Sequence, residues 1–407
     1  MANELGAQAI TQTNRTPLSV QWMNARAERK LDIASALARQ ILERRPQERT
    51  IHRGEARLLE VQGRSEQAFE HWAALRCADP YDFEAAFHFA RAAAAGGVGL
   101  EAAAAQAAPG ANDVFRAALV GALAEPAPAL EGDFKHIAIC GVAFCGSTLV
   151  DRVLGGLPGV ASIGESHWLT KVRADNEYRG VDMSQPVETA RWVPCTVCRQ
   201  KCEVLTSGFR RSLAADNANW YRKVAARLDT RILVSADKNV PTLLEKDPLL
   251  ELSALVIFKS PEQAWRSKLD KLPADRDAAF YEAECRAYLN VWTQNYRSRL
   301  DHFRPRGPVA WLNFDAFTAS PEPLLQAVCD RLELPFDAGV LQRTRPGHAI
   351  GGNGGSMRRL RANDYEVVIE RLPDPALEPS HAKIIAEDAG AREIWREMLA
   401  LHEDLAP

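Results

Sequence analysis

Residues 137–154, IAICGVAFCGSTLVDRVL, place Gly141 and Gly146 five apart and follow them at once with Ser147 and Thr148 at the start of a helical pattern. A helix that begins just after a glycine turn presents unpaired backbone N–H groups and the positive end of its dipole, so it attracts an anion. Against the phosphate-loop pattern G-x-x-x-x-G-K-S/T, both glycines and Thr148 are in register, but Ser147 stands where the Lys belongs. Such a loop can hold a phosphate and is poorly equipped to move a γ-phosphoryl group, which normally wants that Lys and a Mg²⁺-binding acid. The bland alternative is a strand–turn–helix packed closely at Gly146. A second pair of chemical groups lies in LVIFKSPEQAWRSKL, where Lys259 ends an apolar run and Ser267 follows eight residues later on a helical pattern. A cation and a hydroxyl so placed can grip a second phosphate; read otherwise, both are solvated surface groups. A third cluster, PCTVCRQKC, holds Cys195, Cys198 and Cys202. C-x-x-C with a third Cys can bind structural zinc if a remote residue such as His167 supplies a fourth ligand, can form a disulfide, or can stay as free thiols. Cys145, at the mouth of the glycine loop, is either a reactive thiol at a helix N-terminus or a Ser-sized filler.

These groups need elements to position them. From residue 136 onward short runs rich in β-branched residues, HIAICGVA, RILVSADK (231–238), LSALVIFKS (252–260) and PVAWLNF (308–314), alternate with helical stretches near 147–156, 241–251, 261–270, 277–303 and 321–333. This alternation predicts an α/β domain, a parallel sheet with helices on both faces, and ligands in such sheets bind at the carboxyl ends of the strands. A last helix is expected over 385–405. The first third is Ala-rich and repeats at 34 residues: Ala34, Ala68 and Ala102, Pro46 and Pro80, Gly63 and Gly97, Ala56 and Ala90. That is the tetratricopeptide period, with small residues where paired helices cross and Pro where the second helix stops. The expected organisation is a polar tail (1–14), tetratricopeptide-like all-α repeats (15–125), a Pro-rich linker (126–134) and the α/β domain (135–407) with a Cys-bearing insertion near 170–212.

Over about residues 134–400 the chain resembles sulfotransferases that use 3′-phosphoadenosine 5′-phosphosulfate (PAPS). The loop 141–150 resembles the family's G-x-P-R-S-G-S/T-T-L-L; LPGVASIGESHWL resembles HPxVxxxGE; SADKNVP resembles DK-x-P; FKSPEQAWRS resembles R-D-P-R-D followed by Ser; GHAIGGNGGSMRRL resembles the H-x-i-x-G-N-x-m-R segment of bacterial members. The resemblance, closest to bacterial and protein-tyrosine sulfotransferase types, implies a P-loop-type fold and sulfuryl transfer to a hydroxyl, amine or phenol. It implies that Gly141, Cys145, Gly146, Ser147 and Thr148 hold the 5′-phosphosulfate, that Lys259 and Ser267 hold the 3′-phosphate, and that Asn353 and Arg358 belong to the cofactor-binding set. Glu165 is the expected general base, His167 its alternative, and Lys238 the expected cation at the transferring group. The family's loop cation falls on Phe144, whose ring cannot stabilise charge developing on the sulfate bridge. Loss of one such contact costs about 3–4 kcal/mol.

The formal charge of -3 speaks against a general nucleic-acid binder. No apolar run of membrane-spanning length and no apolar signal core occur, so a cytoplasmic chain is expected. The acceptor is expected to be a polypeptide, a carrier-bound group or a saccharide, and the repeats could present a concave face to a protein partner. Two rival readings differ in class: a catalytically impaired nucleotide-binding scaffold, favoured by Phe144, and a P-loop nucleotide or sugar kinase, disfavoured by Ser147.

Overall fold

The computed structural model describes residues 17–174, 177–180, 182–185, 191–199, 201–238, 250, 252–304, 308–345, 347–352, 354–362, 364–370 and 376–405. The aliphatic runs of the second part form a five-stranded sheet. Its strands are β1 (Lys135–Cys140), β2 (Val160–Ser162), β5 (Ile232–Lys238), β6 (Leu252–Phe258) and β7 (Val309–Asn313), in the order β2-β5-β1-β6-β7. Every pairing in it is parallel. Parallel sheets are covered on both faces, so their strands read as near-continuous apolar runs; Ile137, Ala138, Ile139 and Cys140 in central β1 are all 0% exposed. β2 was not foreseen, because VAS within a Gly-rich stretch is too short to show a period. A separate antiparallel hairpin pairs β3 (Lys171–Ala174) with β4 (Glu177–Gly180).

Helices follow the strands, and their ends are set by local chemistry. α8 (Ser147–Gly155) starts at the glycine turn. α11 (Pro261–Leu269) has Ser260 as its N-cap, accepting from Gln263 N, and Pro261 where no amide hydrogen is needed. α12 (Ala278–Phe303) is capped by Asp277, which accepts from Phe280 N at 2.9 Å. α13 (Phe314–Ala319) and α14 (Pro321–Leu332) follow β7. α9 (Ser207–Ala215) and α10 (Trp220–Arg227) lead into β5, and α15 (Gly354–Arg361) follows the glycine-rich segment. The last helix expected over 385–405 is α17 (Ala389–Glu403), and a separate helix, α16 (Pro379–Glu387), precedes it. Asp388 breaks the run by leaving the helical conformation and capping α17 through Ala391 N at 2.8 Å. The helix expected at 241–251 falls almost wholly outside the described residues.

The first part is all helix: α1 (Leu18–Ala27), α2 (Leu31–Arg44), α3 (Arg49–Val61), α4 (Ser65–Ala78), α5 (Phe83–Ala95), α6 (Leu100–Ala107) and α7 (Asp113–Ala124). α2 begins at Leu31 and α4 at Ser65, 34 residues on, with Ala34 and Ala68 both 0% exposed at equivalent points. The third unit slips by one residue: α6 begins at Leu100, Ala102 is exposed, and Ala103 takes the buried place. The helical part shares a core with residues between α8 and α10, since Phe87, Phe115 and Leu119 cluster with Val172, Met183, Trp192 and Ala215. Polar contacts cross the same seam, Asn217 Nδ2 donating to Glu84 Oε1 at 3.2 Å. No described helix is long and apolar enough to cross a membrane.

Candidate functional site

All five parallel strands deliver their following residues to one edge, and β1, which connects onward toward β2 while its neighbour β6 connects the opposite way toward β7, opens the crevice there. β1 runs into Gly141 and the loop. Gly146 has φ +96°, and a Cβ on it would meet the Phe314 ring at 2.2 Å, so only glycine lets the loop close onto the end of β7. α8 then starts at Ser147, whose side chain is buried at the turn. The loop is buttressed from behind: Arg299 Nη2 donates to Gly141 O at 2.9 Å, and Tyr296 OH donates to Ile257 O at 2.8 Å. Cys145 is 1% exposed, its thiol packed beneath Gly141. Its side chain therefore fills the core side of the loop and is absent from the lining of the cavity above it. Phe144 lies half-buried with φ +69°, a strained conformation for a bulky residue.

A cavity of about 420 Å³ sits over this turn, within the range of small-molecule clefts. It is lined by Phe144, Gly146, Ser147 and Thr148 from the loop, Glu165 after β2, Lys259 and Ser267 from β6 and α11, and Gly352 from the glycine-rich segment. Residues 120 apart in sequence thus share one wall. Lys259 Nζ donates to Ser267 Oγ at 3.2 Å and lies 5.0 Å from the Phe314 ring centre. Burial pushes the Lys259 ammonium below its ordinary value, against an opposing pull from Cys145 and Asp315. Asp315 itself is raised by burial, although it accepts from Ser260 N at 3.0 Å. Desolvated and aimed into a cleft, Lys259 is poised for an anionic ligand that repays its burial electrostatically.

Glu165 lines the cavity, its Oε2 accepting from Trp168 Nε1 at 2.7 Å. Gly351 packs so closely that a Cβ there would stand 2.9 Å from the same oxygen. His167 is not part of that wall. Its backbone N–H donates to Asp237 Oδ1 at 2.9 Å and its ring leans toward the same oxygen at 3.4 Å. Buried Asp237 also accepts from Tyr221 OH at 2.7 Å and from Ser166 Oγ, so it anchors the turn that carries Glu165. Lys238 ends β5 beside Cys140, its side chain lying outside what is described, and Asn353 lies outside the described residues. Arg358 is exposed on α15 and does not line the cavity. Sequence reasoning passed over Lys271 and Asp270, which line the cavity just past α11, and Asp315 behind Lys259. Basic residues at the end of α11, Arg266 and Lys268 in its last turn and Lys271 just beyond, were the available signal; Asp270 is paired with Arg266 at 3.3 Å.

No protein-family model matches the chain, and no curated protein matches it. Among solved structures it is similar to the sulfotransferase domain from the curacin biosynthetic pathway, at 15% identity and a TM-score of 0.38, covering 63% of this chain and 98% of that one. It is also similar to the sulfotransferase domain of the Synechococcus PCC 7002 olefin synthase, at 16% identity and a TM-score of 0.36, covering 63% of this chain and 95% of that one.

A second constellation stands beside the first. Cys195, Cys198 and Cys202 converge with His348, their donor atoms all within 4.8 Å of one another. The fourth partner of the thiols is thus His348 from the glycine-rich segment and not His167, which is committed to Asp237. No disulfide joins the three cysteines. Cys202 is pulled down to about 3 by a hydrogen bond from the Cys195 thiol, helped by His348 and by the backbone N–H groups of Leu205 and Val204.

Proposed function

We propose that the chain transfers a sulfuryl group from PAPS to a hydroxyl, amine or phenol of an acceptor. The observation that carries this reading is the meeting of Lys259 and Ser267, 3.2 Å apart, in the same cavity as the first turn of α8. Two anion grips in one cleft suit a nucleotide bearing phosphate at two ends. Ser147, in the place of the phosphate-loop Lys, speaks against γ-phosphoryl transfer.

In this reading the first turn of α8, with Ser147 and Thr148, holds the 5′-phosphate, and Lys259 with Ser267 holds the 3′-phosphate. Lys271 adds positive charge at the rim. The acceptor oxygen or nitrogen attacks sulfur in line, the bond from sulfur to the bridging oxygen breaks, and 3′,5′-adenosine bisphosphate leaves. Glu165 takes the acceptor proton, and the Trp168 indole that holds its Oε2 fixes the carboxylate's direction. Lys238, at the end of β5, is assigned to the charge developing on the bridging oxygen, the task that Phe144 cannot perform. The helical repeats present a polypeptide or carrier-bound acceptor to this edge or bind a protein partner.

Phe144 favours a second reading, a domain that holds the nucleotide without turning it over. Its ring lines the cavity where the resembled family has a cation. Calorimetric titration with 3′,5′-adenosine bisphosphate in metal-free buffer tests both. Binding at least tenfold tighter than that of 5′-AMP is expected, and no binding sinks both readings. Given binding, release of bisphosphate from PAPS with candidate acceptors separates enzyme from scaffold.

A further inference from the structure

We propose that Cys195, Cys198, Cys202 and His348 bind one zinc ion, and that this ion staples the insertion to the glycine-rich segment lining the anion cavity. His348 Nδ1 stands 3.5 Å from Cys198 Sγ and 3.4 Å from Cys202 Sγ. Zn–S and Zn–N bonds of about 2.3 and 2.0–2.1 Å, opened to a tetrahedral angle, put sulfur and nitrogen roughly 3.6 Å apart. The donors already stand near ligand separation. Three thiolates and an imidazole complete a tetrahedron without an open position, which is the donor set of a structural zinc site, not of one that activates water.

Two further observations point to a metal. Backbone amides are aimed at the sulfurs, Cys198 N–H donating to Cys195 Sγ at 3.5 Å and Leu205 N–H to Cys202 Sγ at 3.3 Å. Such bonds favour the thiolate, the form a metal requires. Arg210, 2% exposed, lies behind the cluster with Cys202 and Cys195 as its electrostatic partners. Its guanidinium donates to the carbonyls of Val193 at 2.8 Å and Leu205 at 3.0 Å, and no carboxylate among the described residues pairs with it. A buried cation with no carboxylate partner is costly unless the cysteine cluster itself carries negative charge. Zn²⁺ with three thiolates and a neutral imidazole carries a net charge of about −1, which supplies that counter-charge.

The ion's position defines its task. Buried Thr196, between the first two cysteines, donates its N–H to Ala349 O at 2.8 Å. Ile350, two residues past His348, pairs in parallel with Gly164 and accepts from Glu165 N at 2.7 Å. Gly352 then lines the cavity. A bond from zinc to His348 therefore fixes the segment that backs Glu165.

The inference stands apart from the transfer reading and is tested without nucleotide. The full-length chain is purified, dialysed in metal-free buffer and assayed for metal by plasma mass spectrometry. Close to one zinc per chain is expected, lost in Cys198→Ser and in His348→Ala and retained in His348→Cys. Cobalt exchanged into the unaltered chain should show the thiolate charge-transfer and ligand-field absorption of a tetrahedral ion, a readout that needs no variant to fold. Chelation should speed hydrogen exchange over 347–352 by at least tenfold. A zinc-free chain with three alkylatable thiols, or zinc that persists in both loss variants, overturns the site. Bound zinc whose removal leaves exchange at 347–352 unchanged overturns the staple.

Discussion

Truncating Lys259 to alanine should weaken the binding of 3′,5′-adenosine bisphosphate by roughly 30-fold to several-thousand-fold, while leaving 5′-AMP within about threefold. The magnitude comes from the side chain's surroundings. Lys259 is 7% exposed, its Nζ lies 3.2 Å from Ser267 Oγ, and burial already works against its charge. A unit charge pair about 4 Å apart is worth about 4 kcal/mol at an effective dielectric near 20. Desolvating the phosphate takes back part of this, and truncating one partner of a buried charge pair typically costs about 2–5 kcal/mol. Ser267→Ala should cost about 1 kcal/mol. Because both groups would grip one phosphate, the double variant should lose less than the sum of the two. Metal-free calorimetry of the four proteins with both nucleotides reads all of these terms, and a thermal melt confirms that removing a desolvated cation has not unfolded the domain. If Lys259→Ala weakens both nucleotides equally, the assignment of Lys259 to the 3′-phosphate is wrong. If it weakens neither, the cavity is not the nucleotide site.

Three other outcomes follow from the same geometry. Gly146→Ala forces a methyl into the Phe314 ring at φ +96° and should destabilise the fold by about 2–4 kcal/mol; an unchanged denaturation midpoint would contradict the loop's closure onto β7. Glu165→Gln should lower the transfer rate by about 10²–10⁴ with bisphosphate affinity unchanged, whereas His167→Asn, facing Asp237, should cost far less; the reverse order in steady-state kinetics would reassign the base. Acid should weaken the helical part in a defined window. His71, desolvated and facing His52 Nδ1 at 2.9 Å, is lowered to about 4 from 6.5, so between these values the unfolded chain holds more protons and stability falls as pH falls. This contribution is full above about pH 6.5, and His71→Asn should flatten the slope of urea midpoints measured from pH 7 to 4.

Much of the site could be read along the chain because its parts are local. A glycine turn entering a helix, or a strand ending on Lys259 with Ser267 two turns on, is defined by neighbours a few residues away. What could not be read was of another kind. The resemblance sets Cys145 in the phosphate-holding loop, while the packing of its thiol under Gly141 depends on β6. Asp315 and Lys271 carry no motif, and they matter only because α11 and α13 bring them to Lys259. The one-residue slip at Ala103 and the break at Asp388 turn on single turns and caps, which a period averaged over a repeat or a helix does not resolve.

Alternation of strands and helices, the 34-residue spacing, the loop glycines and the C-x-x-C pair are properties of short stretches, and the sequence alone determined them because backbone sterics and apolar periodicity act over a turn or a strand. Which remote groups meet is a matter of sheet order and loop packing. Lys259 reached α8 because β6 lies beside β1. Glu165 reached the same cavity because β2 lies outside β5 and Gly164, just past β2, is bridged to Ile350. His348 joined three thiols about 150 residues away through the same bridge. Convergence of this kind is a long-range choice among many chain paths, made by burial and backbone pairing, so only the tertiary structure decided it.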